Sequence, residues 1–297
     1  MSKRILVPLL NLKMKPSPDP ENDIAPYVLS CFSAKIVSFF SEDLSDYDGV
    51  LESELESVRM ASWWCLELNE YEGYKIDTHL LIIAFRILFD YPVSLHSYLY
   101  PNGIDEIPFR QCFKLHDIFR YEAAEVRNAK LLSREDLGEV ERMFGRLKKM
   151  SEMKGRAHNA LFLLTRGMFE SNAIGAILHY SAALESIYGI EKNRQRRDHI
   201  PIAETISKRI AAYLAPSDYN YQVIIDMYEL RSRVVHGEMH VVWDNNPKIN
   251  VEQANTFWRL LRVCFLKLLT ENHYSKLIDE QERENFFDEI AKKRCNE

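Results

Sequence analysis

Residues 218–237 read DYNYQVIIDMYELRSRVVHG. The apolar positions Tyr221, Ile224, Met227, Tyr228, Val234 and Val235 fall on one stripe of a 3.6-residue period, which predicts a helix with that face toward a core. Arg231 lies on the same stripe, seven residues after Ile224 and four before Val235. A permanently charged guanidinium among core-facing residues needs a carboxylate, a phosphate or a water-filled cleft, because an unpaired buried charge costs several kcal/mol. Five positions later come His236 and Gly237, a glycine being the usual residue just past a helix end.

The same periodicity runs through the chain on both sides of this stretch. Ser133 in SRED offers an N-cap with an acidic first turn. From there, helices are predicted over about 134–152, 156–171, 173–189, 199–215, 218–236, 251–272 and 277–293. The break at NAKLLS places a domain boundary after residue 133, giving an N-terminal domain of residues 1–133 and an all-α domain of residues 134–297. The first part is less regular. RILVPLLNLK reads as a strand, and KPSPDPENDIAP as a proline-rich loop. VLESELESVRMASWWCLELNE reads as an amphipathic helix with Leu51, Leu55, Val58, Ser62, Cys65 and Leu66 on one side. THLLIIAFRILFDY is a buried helix or a pair of strands, and FRQCFKLHDIFRYE a strand. The expected fold class is therefore mostly α, a helical bundle behind a smaller N-terminal domain, mixed α/β or α.

Composition bounds the function. The 297 residues are 46% hydrophobic and 28% charged, which is globular, and the formal net charge is −6. With a sequence pI near 5.9, nothing global advertises nucleic acid or an anionic membrane, so RNA would have to meet a local basic surface. Five cysteines without a CxxC pair read as reduced thiols of a cytoplasmic protein. The N-terminus MSKRILVPLLNLKMK has its apolar run broken by Asn11 and Lys13 and is not read as a signal peptide. The most apolar window carries Arg86 and Asp90 and is too short to span a bilayer, so no membrane partner is expected.

Three features of the helical half belong together. Beside Arg231 and His236 stands AILHYSAALESIYG (176–189), a helix whose apolar stripe includes Ile177, Leu178, Leu184 and Tyr188. Glu185 lies on or beside that stripe and is the natural internal partner of Arg231. The third feature is EKNRQRRDH (191–199), a basic stretch carrying Lys192, Arg194, Arg196 and Arg197 between two helices. A plain structural reading competes with a functional one. Basic residues in the last turn before a C′ glycine stabilise the helix end, and Glu229 is spaced to pair with Arg233. That covers His236 and Arg233 but leaves Arg231 in the apolar stripe without an explanation. His236 and His240 in HGEMH lack the zincin pattern, and Gly237 breaks the helix it needs, so no metal or other cofactor is expected. His179 reads as a packed histidine, and the basic stretch as solvated surface or an RNA-docking element.

LHYSAALESIYG, TISKRIAAYLA and MYELRSRVVHG together resemble the HEPN superfamily, in particular its Apea-like branch, over roughly residues 155–275. The resemblance implies an α-helical domain that dimerises and, in active members, cleaves RNA without metal. Carried over by position, Arg231 and His236 match the family's catalytic pair. Ser232 matches the polar residue beside the arginine, where Asn, Asp or His is frequent. Glu185 and Arg233 take supporting places. A setting in prokaryotic defence or toxin systems is also implied. Silent members of the superfamily are dimerisation or regulatory modules that bind nucleotide or a protein partner, which is the alternative.

The chemistry agrees with the residue types. A histidine titrates near neutrality and suits general acid–base work, while an arginine fork can hold two phosphate oxygens. At about 100° per residue, positions five apart diverge by about 140° on a helix, so Arg231 and His236 do not share a face. A homodimer with its two-fold axis near this helix end would bring one chain's arginine toward the other's histidine, facing single-stranded RNA.

Overall fold

The computed structural model describes residues 4–10, 12–15, 26–29, 34–38, 64–69, 72–90, 93–95, 97–100, 103–106, 131–170, 172–190, 201–236 and 247–295. Residues 50–63 of the expected helix over 50–70, the strand at 109–122, the basic residues Lys192, Arg194, Arg196 and Arg197, and Gly237 and His240 lie outside them. The chain divides into two compact units, Met1–Gly145 and Arg146–Glu297. The division falls inside a helix, whereas the sequence places it after residue 133.

The first unit is built on an antiparallel sheet. Its strands are β1 (Arg4–Leu10), β2 (Tyr27–Leu29), β3 (Ala34–Ser38), β4 (Trp64–Asn69), β5 (Ser94–Leu95), β6 (Ser97–Tyr100) and β7 (Gly103–Glu106). They are ordered β2-β3-β4-β1-β6-β7, with β5 also pairing β1. RILVPLL forms β1 because its β-branched and leucine residues fill both faces of a central strand; Ile5, Leu6 and Val7 are fully buried. The expected amphipathic helix through WWCLELN is corrected here, since Trp64–Asn69 is strand β4. Its neighbours on both sides override the helical stripe: Ile5 and Ile36 flank it at Leu68 and Leu66. Burial of Cys65, Leu66 and Leu68 is shared between the two faces of a pleat. THLLIIAFRILFDY resolves as one helix, α1 (Tyr74–Phe89). The length of its apolar run and the lack of internal Gly or Pro suit a buried helix. Arg86 within it is fully buried and donates from Nε to the Val93 carbonyl at 2.9 Å.

Helix α2 (Arg134–Glu152) starts where Ser133 and Asp136 cap each other. The Ser133 N–H donates to Asp136 Oδ2 at 2.8 Å, and the Asp136 N–H to Ser133 Oγ at 3.2 Å. The second unit then continues as α3 (Arg156–Met168), α4 (Ala173–Tyr188), α5 (Ile202–Leu214), α6 (Tyr221–Val235), α7 (Pro247–Thr270), a 3-10 turn (His273–Leu277) and α8 (Glu280–Cys295). Helix α4 is the centre, packed by α3, α5, α6 and α7. Its pairing with α3 is close enough that a Cβ on Gly167 would sit 2.5 Å from the Tyr180 ring. Tyr180, Leu184, Ile187, Trp258 and Leu261 form the buried interior. The chain is thus mostly helical in its second part and mixed in its first. No described helix is long and apolar enough to cross a membrane.

Candidate functional site at the end of two helices

Helix α6 begins at Asn220, whose Oδ1 accepts the Val223 N–H at 3.1 Å. Its buried face consists of Ile224, Met227 and Tyr228. Tyr221 and Val235, both expected on that face, are exposed instead, and Val234 is half-buried. The stripe faces the interior only through the middle two turns, because α6 packs against α4 and α5 there while its ends emerge.

Arg231 sits where the buried stripe runs out. Its Nη2 lies 3.2 Å from Glu185 Oε1 on α4, with both side chains about one-third exposed. The two charged groups therefore satisfy one another across neighbouring helices. The pairing is incomplete: Arg231 Nε is buried and has no hydrogen-bond partner. Burial raises the Glu185 carboxyl above its ordinary range, and the Arg231 charge pulls it partly back. One turn earlier on α6, the Tyr228 hydroxyl is buried without a hydrogen bond. Burial, then the Glu185 charge, pushes that phenol well above its usual value. Cys264 on α7 completes this interior, its thiol pushed up to about 12 by burial.

Ser232 is half-buried, and Arg233 and His236 are exposed on the last turn. The pairing of Glu229 with Arg233 does not form among the described residues, which leaves Arg233 a solvated cation. His236 ends the helix, its N–H donating to the Ser232 carbonyl at 3.0 Å. The structure thus brings Glu185 to Arg231 and presents Ser232, Arg233 and His236 on the turn beyond. His179 is half-buried on α4, its Nδ1 2.8 Å from the Gly175 carbonyl and 3.5 Å from Glu170. No group of three His, Cys, Asp or Glu side chains among the described residues could hold a metal ion.

The end of α4 that carries Glu185 is held by a device the sequence reading missed. Three arginines, from α3, α5 and α8, donate to its last carbonyls. Arg209 Nη1 reaches the carbonyls of Tyr188 at 2.8 Å and Gly189 at 3.1 Å, while its Nη2 and Nε hold Asp288. Arg283 Nη1 donates to Ile187 at 3.2 Å and to Gly189, and its Nη2 to Glu280 at 2.6 Å. Arg156 holds Glu280 through two 2.8 Å bonds and touches the carbonyls of Glu185 and Ile190 at 3.3 Å. Arg209 and Arg283 are fully buried, and burial lowers Arg283 to about 10. Guanidinium groups here do what a C-terminal cap does for the carbonyls of Ile187, Tyr188 and Gly189, while the Glu185 carbonyl also accepts the Gly189 N–H at 2.9 Å. Gly189 admits this crowding, since a Cβ there would collide with the Glu185 carbonyl oxygen. The missed signal was present: Arg209 sits between Ile206, Ile210 and Tyr213 at helical spacing, and Arg283 four residues before Phe287.

Beside this helix end, α3, α4 and α5 line an open cavity of about 360 Å³. Leu163, Ala182, Ile190, Ile202 and Ile206 give it apolar walls, Phe162 stands at its rim, and Glu185 is the carboxylate that lines it. Glu185 thus belongs to the cavity lining as well as to the pair with Arg231. Compared with family models, with curated proteins and with solved structures, the chain finds no match in any of the three.

Proposed function

We propose that the helical unit is a metal-independent endoribonuclease of HEPN type, working as a homodimer on single-stranded RNA. The observation that carries this reading is the state of Arg231. It is anchored by Glu185 yet remains one-third exposed, at the head of a turn that ends in the exposed His236. An arginine fixed through Nη2 by a carboxylate and still partly exposed is suited to offer its remaining donors to phosphate oxygens without losing its position.

Cleavage then needs no group beyond the chain. The RNA 2′-oxygen bonds to phosphorus as His236 takes its proton, and the bond from phosphorus to the 5′-oxygen breaks. The departing oxygen receives a proton from the second histidine of the dimer, leaving a 2′,3′-cyclic phosphate. Arg231 and Ser232 hold the non-bridging oxygens as charge develops there. A shared site answers the roughly 140° separation of Arg231 and His236 on one helix. This chemistry belongs to the cytoplasm, where the family resemblance also suggests a role in prokaryotic defence.

One observation favours the silent alternative, a regulatory module. Arg231 already has a counter-charge in Glu185, so it can be explained as a structural cation. Incubating the purified chain with labelled RNA in EDTA, beside His236→Ala, separates the two. Cleavage that survives chelation and disappears in the variant supports the enzyme. Intact RNA in both samples supports the module.

A further inference from the structure

We propose that the cavity between α3, α4 and α5 is a guanine pocket, which receives one unstacked base of the RNA strand while its phosphate reaches Arg231. This rests on the ribonuclease reading above and names the substrate preference of the same site. A cavity of about 360 Å³ lies in the range of small-molecule sites. Its lining is as much polar as apolar, with Arg156, Asn159, Glu185 and Ser186 set among the aliphatic walls. Arg156 is engaged by Glu280 and by backbone carbonyls, and Ser186 donates its hydroxyl proton to the Arg156 carbonyl. What remains to recognise a ligand is the Glu185 carboxylate, an acceptor with about four lone-pair sites, and the exposed amide of Asn159.

Base chemistry selects among occupants. Guanine presents N1–H and the N2 amino group side by side, two donors that match a carboxylate, with the O6 acceptor beside them for the Asn159 amide. Adenine and cytosine each set a ring-nitrogen acceptor next to their amino group, and that acceptor would face the carboxylate. Uracil offers a single N–H between two carbonyls. Phe162, 54% exposed at the rim, supplies the aromatic face on which single-stranded bases stack. Because Glu185 contacts Arg231 at 3.2 Å, base and phosphate would be read by adjoining groups.

The test uses the full chain carrying His236→Ala, with fluorescent pentamers UUGUU and UUAUU in EDTA and anisotropy as readout. UUGUU should bind at least roughly tenfold tighter, the discrimination expected of one bidentate base contact. Phe162→Ala should weaken UUGUU by roughly tenfold through lost stacking. Ala182→Phe should do the same by filling the cavity, and Glu185→Gln should remove the preference for G. Equal binding of the two pentamers overturns the proposal, and so does an unchanged affinity in Phe162→Ala, whose exposed side chain keeps the fold out of question. Wild-type cleavage without preference for G sinks the pocket and leaves the ribonuclease. G-selective binding that Phe162→Ala abolishes, with RNA left uncut by the wild type, keeps the pocket and removes the ribonuclease.

Discussion

Replacing Arg283 with methionine tests how the site is held. The side chain is fully buried, donates to the Ile187 and Gly189 carbonyls, and pairs with Glu280 at 2.6 Å. Breaking a buried pair by removing one partner costs about 3–5 kcal/mol. Two features move the figure to the low end. Glu280 is 38% exposed and keeps Arg156 as partner, and the Gly189 carbonyl keeps Arg209. Against them, the Ile187 carbonyl loses its arginine bond with no other arginine replacing it, and the buried Glu284, 3.6 Å from Arg283 Nη2, loses a counter-charge. Methionine fills most of the volume, so cavity formation adds little. The expected loss is about 3–4 kcal/mol, near 6–16 °C in Tm for a unit of this size. Because the chain holds two units, a single transition is not assured. Hydrogen exchange at the last-turn amides of α4 is therefore the better assay, read beside urea unfolding. Arg283→Lys should not restore stability, since an ammonium donates from one compact centre and does not reach acceptors set around a planar fork. A loss below about 1 kcal/mol, or full rescue by lysine, would refute the reasoning.

Other outcomes follow from the same geometry. Mixing Arg231→Ala chains with His236→Ala chains should restore RNA cleavage that neither parent shows; an inactive mixture of proven heterodimers argues against a shared site. Arg231→Lys should be strongly impaired, and wild-type rates there would remove the arginine fork from the mechanism. Products of the wild type should carry a 2′,3′-cyclic phosphate, and activity lost in EDTA but restored by magnesium would count against the chemistry. In the first unit, burial lowers His79 to about 4 from 6.5. A depressed folded value contributes stability that is complete above about 6.5 and is lost as pH falls through about 4, up to about 3 kcal/mol. Acid titration of His79→Leu should therefore flatten across that window, and an unchanged acid profile would show that His79 is not the group responsible.

The helices of the second unit were legible because each carries a long period with a cap or a break at its ends. Asn220 and the break at Ala215–Pro216 mark two of these ends, and Ser133 marks the start of α2 before them. Strand β4 was not legible, since Cys65 and Leu66 continue a helical stripe and only pairing with β1 and β3 decides between the two periods. The meeting of Arg231 and Glu185 could be read from two charges on two apolar stripes. The same rule, applied evenly, would also have selected Arg209 and Arg283. Both are fully buried and committed to backbone carbonyls. A cation in an apolar stripe thus marks a required partner, and the partner decides whether the role is architectural or chemical. The cavity was illegible for another reason: its walls come from three helices, and no local pattern records their convergence.

The arginine clamp also sets the smallest piece of chain that can carry the site. The motifs that prompted the proposed reading lie within roughly residues 155–275, yet Glu280, Arg283 and Asp288 lie beyond them on α8. A fragment ending at residue 275 would contain Arg231, His236 and Glu185 and still lose one clamp arginine outright. Arg156 and Arg209 would be left beside carbonyls without their carboxylates. The last turn of α4 would then fray, and Glu185 with it. Helix α8 is therefore part of the site although it lies far from it in sequence, because the helix end bearing Glu185 gains its full set of bonds only once α8 has docked.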